Sequence, residues 1–163
     1  MEAKNLGSKS LRSLNENSGN SGNSRSSKMK SSRMKKKKIK VVIAIPGLDS
    51  HWRGAMVVVK QLQKRGMEVV YLGNRFPEEI VNACIEEDPD VLGLSFHSDS
   101  YRRLMPEIIR GIKDNNLSPV IVVGGSIPRR DYSLLKEIGV HEVFGPGTAF
   151  ENISRRIIEL LEL

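Results

Sequence analysis

The chain has little of what several chemistries require. Its 163 residues include one cysteine, Cys84, which excludes a disulfide framework and any multi-thiolate zinc or iron–sulfur site. Three histidines, His51, His97 and His141, leave little room for a polynuclear metal centre. No run of about 18 apolar residues occurs, so no membrane span is expected. No apolar stretch follows the N-terminal charges, which argues against a secretory signal. A reducing, cytoplasmic setting is the resulting expectation.

Acidic residues are scarce at one end only. Residues 1–40 hold 12 Lys or Arg and 2 acids, and residues 41–163 hold 14 and 17, so the net charge of +7 divides into +10 and −3. The positive excess belongs to the N-terminal stretch. The remainder is mildly acidic, which argues against nucleic-acid binding by the folded part, because phosphate contacts need a basic surface. In residues 1–38, Ser, Asn, Gly, Lys and Arg fill 29 positions. Such a segment buries too little apolar surface to offset its ordering entropy. Residues 1–38 are therefore expected to form a disordered basic tail, read as a solvated leader or linker. A polyanion- or partner-attracting arm and a transit peptide are the alternatives. Residues 39–163 are expected to form one folded domain.

From Ile39 the texture changes. Ile39–Ile45 is a β-branched, nearly unbroken apolar run, as in a strand buried on both faces. Similar strands are expected at Met67–Leu72, Asp90–Ser95 and Pro119–Val123, with a short fifth at Glu142–Phe144. Helices are expected between them. Trp52–Arg65 carries Ala55, Val58, Val59 and Leu62 at helical spacing, with Gly66 as the stop. Pro77 opens a helix through Glu87, with Glu78 and Glu79 at its positive end and Cys84 on its core stripe. Tyr101–Lys113 carries Leu104, Met105, Ile108 and Ile112, and a short helix covers Arg130–Ile138. Thr148 is expected to cap a last helix with Ile153, Ile157 and Leu161 inward. Five alternations of strand and helix imply an α/β fold. They give a flavodoxin-like, five-stranded parallel sheet in the order 2-1-3-4-5, with helices on both faces. Ligands of such sheets bind beyond the carboxyl ends of the strands, where the first and third diverge.

That edge carries a specific set of residues. The loop after the first strand reads Pro46-Gly47-Leu48-Asp49-Ser50-His51-Trp52-Arg53-Gly54. In an extended turn Asp49 reaches one imidazole nitrogen of His51, fixing the tautomer and leaving the other nitrogen free for a metal. One protein ligand cannot hold a bare ion, so the metal must arrive with most of its coordination filled, as in a tetrapyrrole-like or corrin cofactor. Gly54 lets a bulky group approach the backbone. Ser95 ends the third strand, Gly124-Gly125 the fourth, and Phe144-Gly145-Pro146-Gly147-Thr148 follows the fifth. Together these leave a cleft poor in side chains, suited to a long flat group. His97 lies at the same edge, and His141 lies at the opposite one as a surface or packing residue. Competing signatures are missing. No G-x-G-x-x-G follows the first strand, and no G-x-x-x-x-G-K-[ST] occurs. Ser95 stands where a phosphoacceptor domain needs Asp. The first loop offers a flavin phosphate only Ser50.

The order D-x-H-x-x-G (Asp49, His51, Gly54), then Ser95, then Gly124-Gly125 resembles the cobalamin-binding domain of adenosylcobalamin-dependent mutases of the methylmalonyl-CoA mutase group. GLDSHWRGA, EEDPDVLGLS, VVGGSIP and FGPGT all look like that group, and the likeness covers residues 39–163. The resemblance implies that His51 is the lower axial ligand of cobalt, displacing the cofactor's benzimidazole, with Asp49 on its other nitrogen. Ser95 would bond the buried benzimidazole, and Gly124 and Gly125 would make room for the nucleotide tail. Ser50, Trp52, Arg53, Gly54, Val58, His97, Phe144, Gly145 and Thr148 would complete the cofactor site. Two positions depart from the family. His97 stands where S-x-L places leucine, and Trp52 where a small or polar residue is common. The resemblance further implies the small subunit of a heteromeric acyl-CoA mutase holding adenosylcobalamin. A large TIM-type barrel partner would bind the acyl-CoA, and this chain would not be active alone. A corrinoid methyl carrier, a cobalamin-dependent sensor and a cofactor-free interaction domain are the alternatives.

Overall fold

The computed structural model describes residues 37–162. The tail expected over residues 1–38 lies outside them except for its last two positions. The first strand, β1 (Lys40–Pro46), is buried from Val41 to Pro46. Val41, Ile43 and Ile45 contribute to one core and Val42 and Ala44 to the other. A strand covered on both faces has no solvent side on which to alternate, hence the unbroken apolar run. The chain continues through α1 (Trp52–Lys64), β2 (Glu68–Arg75), α2 (Pro77–Glu87), β3 (Val91–Phe96), α3 (Tyr101–Asp114), β4 (Val120–Gly125), a 3-10 turn at Arg129–Asp131, α4 (Tyr132–Ile138), β5 (Glu142–Phe144) and α5 (Phe150–Leu161). All pairings are parallel and the strand order is β2-β1-β3-β4-β5. Between β1 and β3 the order reverses, so the loops that follow these two strands diverge and leave a crevice.

The sheet's two faces carry different layers. Ala55, Val59 and Leu62 of α1 and Ile153 and Ile157 of α5 cover one face, packing on Val41, Ile43, Ile45, Val91 and Val122. Helices α2, α3 and α4 cover the other, through Ile80, Cys84, Leu104, Met105, Ile108 and Leu135. Cys84 is fully buried, and burial pushes its thiol up to about 11, which leaves it an inert packing residue. His141 has a structural task at the far edge: its Nδ1 accepts the Ile121 N–H at 3.0 Å. No helix among the described residues is long and apolar enough to cross a membrane.

Three details differ from the sequence-based expectation. First, β2 runs three residues past Leu72. The pairing shifts between Ile43↔Tyr71 and Ala44↔Gly73, leaving Leu72 as the bulge, and Gly73 takes φ +69°. Second, β3 does not end at Ser95 but runs on to Phe96, which pairs with Gly125 as Ser95 pairs with Gly124. Third, Thr148 does not cap α5. Its hydroxyl donates back to the Gly145 carbonyl at 2.8 Å, closing the turn after β5, and Ala149 takes the N-cap position.

Candidate functional site: a carboxylate-braced imidazole beside a side-chain-poor cavity

The β1–α1 loop folds around Asp49. Its Oδ1 accepts the His51 backbone N–H at 2.8 Å, an Asx-turn, and lies 2.7 Å from His51 Nδ1. The i, i+2 spacing thus works through a turn rather than an extended segment: one oxygen holds both the backbone and the ring of His51. A carboxylate oxygen can only accept, so Nδ1 is the donor of this pair, and in the neutral ring Nε2 is then a free lone pair. Nε2 has no partner among the described residues, and the His51 side chain is 67% exposed. The loop is also held from β2, where Asn74 Nδ2 donates to the carbonyls of Gly47 (3.1 Å) and Asp49 (2.8 Å). The Gly47 N–H reaches the Arg75 carbonyl at 2.8 Å. These contacts exist because the bulge at Leu72 carries β2 onward to Arg75.

The second oxygen of Asp49 faces His97. Oδ2 accepts the His97 backbone N–H at 3.2 Å and stands 3.7 Å from its Nδ1. That Nδ1 is buried and has no hydrogen-bond partner, the sole such side-chain atom among the described residues. The two imidazoles stack, with centroids 4.9 Å apart and planes 24° from parallel. Burial works to raise the Asp49 carboxyl, but the His51 backbone and ring and the nearby His97 outweigh it. Asp49 is held below the ordinary carboxylate range and is ionised at neutral pH.

Behind His97 a cavity of about 480 Å³ opens between the sheet and helices α1 and α5. Its floor is the period-2 set on that face of β3, β4 and β5: Gly93, Ser95, Val122, Gly124 and Phe144. On the opposite face the same strands carry Leu94, Phe96, Ile121 and Val123, all in the core. Gly93, Ser95 and Gly124 thus fall on the cavity side, and Gly125 alternates with Ile121 and Val123. The two adjacent glycines have different reasons to be glycine. Gly125 takes φ +114° and a Cβ there would collide with the Phe96 carbonyl. At Gly124 a Cβ would meet only the Phe144 carbonyl, at 3.8 Å. The fold does not demand glycine at 124, and a side chain there would occupy the cavity.

Nine of the residues expected at the site line this cavity: Gly54, Val58, Ser95, His97, Gly124, Gly125, Phe144, Gly145 and Thr148. Asp49, Ser50, His51, Trp52 and Arg53 do not line it. They stand on the preceding loop and the first turn of α1, with Trp52 half-exposed and the Arg53 guanidinium 6.0 Å from its ring centroid. Sequence reading missed Gly93, Ser126 and the α5 residues Phe150, Ile153 and Ile157 in the wall, and Asn74 behind the loop. Gly93 sits two before Ser95 on a strand whose side chains alternate, and that spacing was a readable signal. Asn74 had none, because its role depends on the bulge.

Comparison with known proteins places this geometry in context. A model described as the B12 binding domain matches residues 39–154. The 2-hydroxyisobutanoyl-CoA mutase small subunit of Aquincola tertiaricarbonis is 41% identical over 107 residues, which are 64% of this chain and 79% of that protein. Methylmalonyl-CoA mutase of Rhizobium meliloti is 39% identical over 128 residues, 77% of this chain but only 18% of that protein. Among solved structures, a novel cobalamin-binding protein from Desulfitobacterium hafniense superposes with a TM-score of 0.65 at 21% identity, covering 76% of this chain and 58% of that one.

Proposed function

Starting from the fact that the chain belongs to the B12-binding domain family, we propose that it is the cobalamin-binding small subunit of a heteromeric acyl-CoA mutase. The observation that carries this reading is the Asp49–His51 pair, with Nε2 free, beside a cavity that its neighbour His97 helps to line. The residues fit a corrinoid. A corrinoid brings its cobalt with most of its ligands already supplied, so the single free imidazole nitrogen of His51 would be enough to hold it. The cavity of about 480 Å³, walled by glycines and apolar side chains with Ser95 as a polar group, would suit a displaced nucleotide tail.

In this reading His51 offers Nε2 to the cobalt, and Asp49 keeps the proton on Nδ1 and orients the ring. Ser95 bonds the displaced base, and Gly124 and Gly125 leave space for the tail. Ser50, Trp52 and Arg53 on the loop side, and Gly54 in the cavity wall, would contact the bound corrinoid. When bound, adenosylcobalamin supplies a weak cobalt–carbon bond that initiates radical rearrangement of a carbon skeleton. The acyl-CoA is held by a large partner subunit with a TIM-type barrel, and this chain contributes grip and ligand. The assembly works in the cytoplasm.

The test is reconstitution. The chain, adenosylcobalamin and a large mutase subunit are mixed, and rearrangement of a CoA thioester is followed. Turnover in the mixture and in neither component alone is the expected result. Methyl transfer from this chain to an acceptor, without a barrel partner, would overturn the reading in favour of a methyl carrier.

A further inference from the structure

We infer that His97 is a positioning residue for the His51 imidazole, acting through the carboxylate they share and through the stack between their rings. The inference rests on the proposed corrinoid function for its purpose, though not for its geometry. Asp49 is bonded on both oxygens: Oδ1 to His51, Oδ2 to the backbone of His97. Oδ1 can point at His51 only while the carboxylate plane is fixed, and Oδ2 is the handle that fixes it. The His97 ring adds a second hold. Its Nδ1 is buried without a partner, and Oδ2, 3.7 Å away, is an acceptor that a shift of about half an ångström would bring into bonding range. An orphaned buried nitrogen favours that shift. The ring face, 4.9 Å from His51 and nearly parallel to it, limits rotation of the exposed imidazole. A leucine, which the resemblance puts at this position, has neither the donor nor the flat face. His97 also lines the cavity, so one side chain touches both the ligand's bracing and the space for the tail.

The backbone N–H on Oδ2 is kept in every variant, so the experiment separates the two contributions of the side chain, the Nδ1 donor and the ring face. His97→Asn keeps a donor near the Nδ1 position without the ring, His97→Phe keeps the flat face without the donor, and His97→Leu has neither. Thermal melts establish that each variant is folded. Two readouts follow. Long-range ¹H–¹⁵N spectra of the full chain without cofactor report the His51 tautomer. Titration with cobinamide reports imidazole ligation alone, because this corrinoid has no nucleotide tail and takes a lower nitrogen only from protein. Wild type should show a single tautomer, protonated on Nδ1. His97→Leu should show a mixture and bind cobinamide about tenfold more weakly, the low end for a group behind a metal ligand. His97→Asn should restore the single tautomer and His97→Phe should not. The inference is overturned if His97→Leu keeps both the tautomer and the affinity, or if His97→Phe alone restores both. Should wild type bind neither cobinamide nor adenosylcobalamin, the proposed function fails, and the tautomer spectra still decide the role of His97.

Discussion

The pair Gly124-Gly125 offers a sharp test, because two adjacent glycines should respond in opposite ways to substitution. In Gly124→Val the new Cβ meets only the Phe144 carbonyl at 3.8 Å, and the methyls enter the cavity. A β-branched residue in a paired strand gains up to about 1 kcal/mol over glycine, so the protein without cofactor should be as stable as wild type or more so. With the cavity filled by a nucleotide tail, the same methyls overpack the site. Overpacking costs about 1–3 kcal/mol, or roughly five- to 150-fold in affinity. Cobalamin binding should weaken by that factor, and binding of tail-less cobinamide should hardly change. Gly125→Ala is the reverse. Its φ of +114° and the collision with the Phe96 carbonyl cost at least about 1–3 kcal/mol of folding stability, a fall of several degrees in Tm. Thermal melts and absorbance titrations with both corrinoids read all four quantities. Equal weakening of cobalamin and cobinamide by Gly124→Val, or none, would refute the assignment of the cavity to the tail.

Three further predictions concern the loop and the core. Asp49→Ala should weaken cobinamide binding about 10–100-fold, with His51 still present, as measured by the same titration. Asn74→Ala removes two hydrogen bonds to the β1–α1 loop, worth about 1 kcal/mol each. It should weaken cobinamide binding several-fold, because the loop no longer holds Asp49 in place. At the far side of the sheet, Asp131 accepts from the Tyr101 hydroxyl at 2.7 Å and from Arg102 at 2.8 Å. The Tyr101 hydroxyl foremost, then Arg102, hold its carboxyl below the ordinary range against the opposing effect of burial. A carboxyl lowered on folding stabilises the protein fully above its unfolded value of about 4, and that contribution is lost as pH falls through the lower folded value. Urea midpoints should therefore decline on the acid side of about pH 4, and the decline should be shallower in Asp131→Asn.

Much of the fold was legible because burial on both faces leaves a plain signature. Ile39–Ile45 and Pro119–Val123 could be read as central strands from β-branched runs alone, and the alternation with amphipathic helices then fixed the strand order. The Asp49–His51 pairing was legible from spacing, although the turn that achieves it is an Asx-turn. What spacing could not reveal were features created by tertiary geometry. The bulge at Leu72 extends β2 and brings Asn74 to the loop, and nothing in GNR at 73–75 announces it. The stack of His97 on His51 joins residues 46 positions apart, from loops that meet only because β1 and β3 are neighbours. Thr148 had a good cap residue's chemistry, but its hydroxyl found the Gly145 carbonyl first. Spacing likewise treats Gly124 and Gly125 alike, whereas φ separates a glycine the backbone requires from one the cavity requires.

The central claim is that the imidazole of His51 is a ligand to cobalt. Electron paramagnetic resonance of the Co(II) corrinoid bound to protein grown on ¹⁵N-histidine tests it directly. A protein histidine below the cobalt changes the nitrogen splitting from a triplet to a doublet, and His51→Ala abolishes that doublet. A triplet that persists in labelled protein would mean that the cofactor keeps its own base, contradicting the account.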